Sequence, residues 1–151
     1  KRVLILGAGG AALGIGAALS PHVDTIYFAN RTAERANAAA STLRNGRTLR
    51  WDDLERGFGA ADLIIQTTTL GMISQPDHDW PMRFSRPNAI VADIVYRPLE
   101  TTFLAAARAR GLIAMDGLGM FIHQGARSFE LWFGVKPDTE KARARLIAAL
   151  G

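Results

Sequence analysis

The chain has 151 residues, is 48% apolar and carries a formal net charge of +4 without a single cysteine. This length predicts one domain, with enough apolar material for a full core. The composition excludes disulfides, thiolate catalysis and cysteine-ligated zinc, and no run approaches the ~18 uncharged apolar residues of a membrane span.

No signal peptide is visible, and a cytoplasmic location fits the composition. The chain opens on Lys1 already inside a strand pattern, which raises the expectation of an upstream part. In chain order, Val3 to Leu6 reads as a buried strand, a short apolar run bounded by glycine. Ala11 to Ser20 reads as a helix stopped by Pro21. Thr25 to Ala29 is a second strand, Ala33 to Leu43 a second helix and Thr48 to Trp51 a weak third strand. Asp53 is placed to cap a short helix before Gly57, and Leu63 to Thr67 is a fourth strand. "SQPDHDWPMRFSRP" reads as a polar, proline-rich loop. Ala89 to Val95 is a fifth strand, Thr101 to Arg110 a helix stopped by Gly111, and Leu112 to Met115 a sixth strand. Met120 to Phe133 is a helix, and Pro137-Asp138-Thr139 opens a last one with Ala142, Leu146, Ala149 and Leu150 on an apolar stripe. Strands alternating with helices imply an α/β, doubly wound, Rossmann-like fold: a mainly parallel sheet of about six strands with helices on both faces.

The first turn carries Gly7-Ala8-Gly9-Gly10-Ala11-Ala12, which matches G-x-G-x-x-G/A between a strand and a helix. Gly7 permits the tight turn, Gly9 lets a pyrophosphate approach the backbone, and Ala12 keeps the helix close to the sheet. The following helix N-terminus offers unpaired N–H groups to a phosphate. A tight turn with no ligand is the plainer reading of the same residues, but the full βαβ context favours a dinucleotide. At the end of the second strand, an NAD site wants Asp or Glu for the ribose hydroxyls. This chain has Asn30, Arg31, Thr32 and Arg35 instead. Two arginines at a helix start oppose the macrodipole by roughly 0.3–1 kcal/mol, a penalty that a bound phosphate reverses. A bidentate Arg31 and the Thr32 hydroxyl therefore read as a 2′-phosphate pocket for NADP(H). The alternative has Thr32 as an N-cap beside two solvated arginines, and Thr32 can serve as both.

Three more segments, "DLIIQTTTLGM", "VADIVYRPLETTFLAAARARG" and "DGLGMFIHQGARSFELWFG", resemble segments of the shikimate dehydrogenases, collinear with "GAGGAA" and "NRTAERA". The resemblance runs from Lys1 almost to Gly151 and implies the NADP-binding domain of that family. It implies that Gly7, Ala8, Gly9, Gly10 and Ala11 line the pyrophosphate loop, and that Asn30, Arg31, Thr32 and Arg35 bind the 2′-phosphoadenosine. It places Thr68, Leu70, Gly71, Met72, Val95, Gly117 and Met120 near the nicotinamide ribose or ring. It assigns Tyr96 and Gln124 to substrate hydroxyl or carboxylate groups. The implied reaction is the reversible reduction of 3-dehydroshikimate by NADPH, a step in aromatic amino-acid biosynthesis. Gln66 stands where the family usually has Asn, which puts a local cofactor contact in question.

Family members carry an upstream substrate domain with a catalytic lysine and aspartate, and nothing here matches it. The three lysines are Lys1, Lys136 and Lys141, none at a strand's carboxyl end, so no catalytic residue is expected within this chain. The C-terminal helices, about 119–151, are expected at the junction with that domain. Their Phe129, Leu131, Trp132 and Phe133 leave more apolar surface than the sheet can cover, so self-association is expected of the chain alone. Asp93 reads as a structural carboxylate pinning a loop, and Asp116 as a cap or turn residue. His123 reads as packing or surface, and His22 and His78 lie in loops without ligand spacing, so no metal is expected. The arginines are dispersed rather than interleaved with aromatics, which argues against a nucleic-acid groove despite the basic charge. A quinate/shikimate paralogue using NAD and a non-catalytic NADP-binding sensor are the alternatives.

Overall fold

The central strand, β1 (Arg2–Leu6), buries Val3, Leu4, Ile5 and Leu6 completely. An unbroken apolar run is what a strand covered on both faces requires. Leu4 and Leu6 pack with Phe58, Ile64, Val91 and Phe103 in one layer, while Val3 and Ile5 pack with Ala12, Ile26, Phe28 and Ile65 in the other. In this computed structural model residues 1–150 are described; Gly151 and the Leu150 side chain, one member of the expected apolar stripe, lie outside the described residues.

β2 (Thr25–Ala29) and β3 (Gly46–Leu49) lie to one side of β1, and β4 (Leu63–Gln66), β5 (Ile90–Asp93) and β6 (Ile113–Met115) to the other. The order is β3-β2-β1-β4-β5-β6, with every pairing parallel. Strand order therefore reverses between β1 and β4, the point at which open α/β sheets hold ligands beyond their carboxyl ends. Register sharpens this: Ala29, Leu6, Gln66 and Asp93 stand in one row across the sheet. The segments that follow them, beginning at Asn30, Gly7, Thr67 and Ile94, all emerge along one edge.

The helices are α1 (Gly10–Leu19), α2 (Ala33–Ser41), α3 (Leu54–Ala60), α4 (Thr102–Ala109), α5 (Leu118–Phe133) and α6 (Thr139–Leu150). Ala12 of α1 and Ala39 and Ala40 of α2 pack with the Val3–Ile5 face, and Leu54 and Phe58 of α3 and Phe103 and Leu104 of α4 with the other. Glycine governs one of these contacts. A Cβ on Gly16 would stand 2.8 Å from Phe28, so only glycine lets α1 lie this close to β2. α5 buries Leu118 and Ile122 near its start, and then Leu131, Trp132 and Phe133 are exposed. Among the described residues no helix is long and apolar enough to cross a membrane.

Several boundaries depart from the sequence reading. β3 begins at Gly46, two residues early, because that glycine passes against the Ala40 carbonyl and pairs with Ile26. Trp51 accordingly leaves the strand and opens a 3-10 turn, Trp51–Asp53. Asp53 sits at the N-cap position of α3 without capping it and takes the Arg50 guanidinium at 3.1 Å instead. Gly57 lies inside α3 rather than after it, since a Cβ there would run into Leu49 and Leu4 of the sheet. Pro21 sits within a 3-10 turn, Ser20–His22, that continues from α1. The "polar" loop before β5 buries Trp80 and Met82, and Trp80 meets Phe103 edge-on with ring centroids 5.2 Å apart. His78 packs on that same tryptophan, 4.5 Å between centroids, which gives it a structural place.

Candidate functional site

The glycine turn follows β1 directly. The Gly7 N–H donates to the Ala29 carbonyl at 2.7 Å, and φ of +115° holds the residue in a region that favours glycine. A Cβ on Gly7 would stand 2.5 Å from Thr67 Oγ1, so the close approach of the β1 and β4 tips also demands glycine. Beyond Gly9 and Gly10 there is open space, with nothing within 4 Å of a built Cβ. Gly9 is the N-cap of α1 and offers no side chain to cap it. The first N–H groups of α1 thus lack intrahelical acceptors and face that space.

At the β2 tip, Asn30 Nδ2 donates to the Thr32 carbonyl at 3.0 Å and closes the turn into α2. Thr32 is the α2 N-cap, yet its hydroxyl makes no cap bond. Arg31 and Arg35 are exposed and enter no ion pair among the described residues. The tip therefore carries two uncompensated cations and a free hydroxyl beside the glycine turn.

The β4 tip is organised by Gln66, which is fully buried. Its Nε2 donates to the Leu70 carbonyl at 2.8 Å, and its Oε1 accepts from the Thr68 N–H. The Thr68 hydroxyl accepts from the Leu70 N–H at 3.1 Å. Both ends of the Gln66 amide are spent on shaping the turn, so its extra methylene reaches the loop rather than re-aiming a ligand contact. Leu70 packs into the core, not the cleft, and Gly71 turns the chain at φ +82°.

At the β5 tip, Asp93 is buried and accepts from the Val95 N–H at 2.9 Å and the Thr101 hydroxyl at 2.8 Å. Thr101 in turn caps α4 by accepting from the Leu104 N–H. Asp93 thus pins both ends of the segment 95–101, the structural role the sequence predicts. Burial pushes its carboxyl up to about 6, against the two hydrogen bonds, which pull it down. A carboxyl raised above its ordinary value favours folding when protonated. Its contribution is full below about pH 4 and is lost as pH rises through about 6. Urea unfolding of wild type and Asp93→Asn should therefore diverge across this window, with wild type losing stability relative to the variant as pH rises. Parallel pH profiles would refute the assignment.

α5 is brought to the same edge by backbone contact. The Gly117 N–H donates to the Val95 carbonyl at 3.2 Å, and a Cβ on Gly117 would collide with the Ile94 carbonyl. Asp116 accepts from the Leu118 N–H at 3.0 Å, the turn role expected of it. Tyr96 then stacks on Phe121, with ring centroids 4.2 Å apart and planes 20° from parallel.

Between the β1, β4 and β5 tips and α5 lies a cleft of about 640 Å³. Of the residues singled out from sequence, Ala11, Thr68, Met72, Val95, Tyr96, Met120 and Gln124 line it together. Leu70, Gly71 and Gly117 do not line it; they shape the backbone around it. Arg31 and Arg35 belong to the separate β2 tip. Sequence reasoning missed Thr67, Thr69, Ile73, Ile94, Arg97 and Phe121, which also line the cleft. Helical spacing held the signal for Phe121, since it and Gln124 are three apart on α5. No lysine lines the cleft, and His123 is exposed on α5.

A sequence model described as Shikimate / quinate 5-dehydrogenase matches residues 1–87, and one described as the Shikimate 5'-dehydrogenase C-terminal domain matches residues 117–147. The chain is 47% identical over 150 residues to "Shikimate dehydrogenase (NADP(+))" of Methylobacterium radiotolerans, covering 97% of this chain and 53% of that protein. Among solved structures, quinate dehydrogenase from Corynebacterium glutamicum in complex with NAD superposes with a TM-score of 0.90 at 30% identity, over 98% of this chain and 55% of that one. A shikimate dehydrogenase in complex with NADP+ gives 0.88 at 32% identity, over 100% and 55%. The chain thus spans about half the length of the relatives it matches. With a doubly wound sheet, a glycine turn at its switch point and a sequence model matched across more than half of its residues, the chain belongs to the shikimate/quinate 5-dehydrogenase family.

Proposed function

We propose that the chain is the NADP(H)-binding part of a shikimate dehydrogenase. The whole protein then catalyses reversible reduction of 3-dehydroshikimate to shikimate with NADPH, in the cytoplasm. The observation that carries the cofactor reading is the β2 tip, where Arg31 and Arg35 stand uncompensated in the place of a ribose-binding carboxylate. The donor set fits the group. Open space above Gly9 and Gly10 admits a pyrophosphate at the α1 N-terminus, and the two guanidinium groups with the Thr32 hydroxyl suit a 2′-phosphate. The relatives' name, "Shikimate dehydrogenase (NADP(+))", supports the same reading.

Held by these groups, a dinucleotide would supply the hydride exchanged with the C3 carbon of the substrate. The chain's own residues position the reactants. The Gln66-braced turn presents Thr68 and Met72, Val95 and Met120 wall the cleft, and Tyr96 and Gln124 offer hydrogen-bonding groups to substrate hydroxyls or carboxylate. The side chains lining the cleft include no lysine, histidine or carboxylate, and its ionisable members are the Tyr96 phenol and the Arg97 guanidinium. The proton comes from a companion substrate domain carrying a lysine and an aspartate.

A quinate dehydrogenase using NAD is favoured by the 0.90 superposition on an NAD complex, and opposed by the cationic β2 tip. Calorimetric titration of the chain with NADP+ and NAD+ separates the two: a preference for NADP+ of at least about tenfold is expected, near 1.4 kcal/mol, and equal affinities would sink the reading. The C-terminal helices form the junction with the companion domain, because Leu131, Trp132 and Phe133 are 67%, 76% and 64% exposed in consecutive positions. Alone, the chain self-associates through this face. Light scattering should show a mass above the monomer that falls in Trp132→Ser; a monomer at high concentration would rule this out.

A further inference from the structure

Arg97 is the only charged residue lining the cleft among the described residues. Its backbone is not free to move away, because Asp93 holds Val95 on one side and Thr101 on the other. Its neighbour Tyr96 is stacked on Phe121. The guanidinium enters no ion pair among the described residues. Asp93, at the end of β5 just before this segment, spends both carboxylate oxygens on the Val95 N–H and the Thr101 hydroxyl. The cleft lining therefore carries one positive charge, on an exposed side chain whose backbone segment is held at both ends, and no negative one.

We propose that Arg97 is a specificity-determining residue that makes this cleft bind the reduced dinucleotide more tightly than the oxidised one. This rests on the reading above, in which the phosphates occupy the β1 and β2 tips and the nicotinamide end continues over β4 into the cleft. The oxidised nicotinamide ring is a cation, and the reduced ring is neutral. The ring would share a cleft of about 640 Å³ with Arg97, and at roughly 0.01 M ionic strength the Debye length is about 30 Å. Met72, Ile73 and Met120 of the cleft walls are partly open to water, so the repulsion is modest and weakens as salt is added. The repulsion acts on the oxidised form alone, whereas the phosphate contacts are common to both.

The test is titration of the 151-residue chain with NADPH and NADP+ by calorimetry, in wild type, Arg97→Gln and Arg97→Lys. Wild type should bind NADPH more tightly, on the order of two- to threefold at low ionic strength, with a gap that narrows as salt is added. Arg97→Gln should close the gap by improving NADP+ binding while NADPH affinity holds, and Arg97→Lys should restore it. Arg31→Ala, acting at the other end of the dinucleotide, should weaken both forms alike. Equal wild-type affinities, or a gap that survives Arg97→Gln, overturn the proposal. Equal loss of both forms in Arg97→Gln also overturns it and makes Arg97 a phosphate ligand. Failure of the wild-type chain to bind either form overturns the cofactor reading itself, and the proposal with it.

Discussion

Arg31→Ala weakens NADP+ binding by about 1.5–3 kcal/mol, the scale of a charge-assisted hydrogen bond, or roughly ten- to 150-fold. NAD+ affinity stays nearly unchanged. The asymmetry follows from the β2 tip. Arg31 touches no carboxylate there, so its removal uncovers no buried partner and costs the fold nothing measurable. It stands one residue before the Thr32 N-cap of α2, where a cation opposes the helix dipole until an anion joins it. On the proposed reading the 2′-phosphate is that anion, and NAD+ lacks it. Arg35 and the Thr32 hydroxyl share the load, so the single variant keeps a residual preference for NADP+. Paired calorimetric titrations of wild type and variant decide the matter. A variant that loses both cofactors equally would place Arg31 at the pyrophosphate, and one that loses neither would remove the 2′-phosphate pocket altogether.

Supplied with shikimate and NADP+, the 151-residue chain turns over at background. A general acid–base group contributes roughly 10²- to 10⁴-fold, and positioning of the second reactant contributes as much again. The cleft offers neither in full. Lys1 precedes β1 at the opposite end of the sheet, Lys136 lies between α5 and α6, and Lys141 is exposed on α6. Tyr96 and Gln124 can hold one side of a small substrate, but the cleft is open where the companion domain is expected. Steady-state absorbance at the reduced nicotinamide band measures the rate. Adding the companion domain in trans should raise it by orders of magnitude. Robust turnover by the chain alone would move the proton donor into this cleft, with Tyr96 as the first group to mutate.

Much of this site could be read before any coordinate. The glycine spacing after a buried strand can be met by few conformations, so Gly7 to Ala12 announced a turn, a helix N-terminus and open space above them. The missing carboxylate after β2 is a statement about residue type, and residue type is visible in a sequence. Apolar runs of four or five residues named β1, β2, β4 and β5, because a strand buried on both faces has no polar alternation to blur it.

Strand order and register are different in kind. They depend on which strands pair, and nothing local to β4 states that it lies beside β1, or that Leu6, Gln66 and Asp93 share a row. Gln66 shows the consequence. By sequence it was an altered cofactor contact; in the fold it is a buried brace of the 67–70 turn, because its place on the sheet turns the amide toward Thr68 and Leu70. Leu70 moved from cleft to core for the same reason, and Arg97 entered the cleft only once Asp93 had pinned the segment around it. Trp80 and Met82, hidden in a proline-rich run, became core because a non-periodic loop can still bury single anchors where a sheet face lies open beneath it. By itself the sequence determined the local vocabulary: which segments are strands, where the backbone needs glycine, and which charges stand at each tip. Only the tertiary structure decided which tips face one another, because that choice is made by packing between residues far apart in the chain, and no local pattern encodes it.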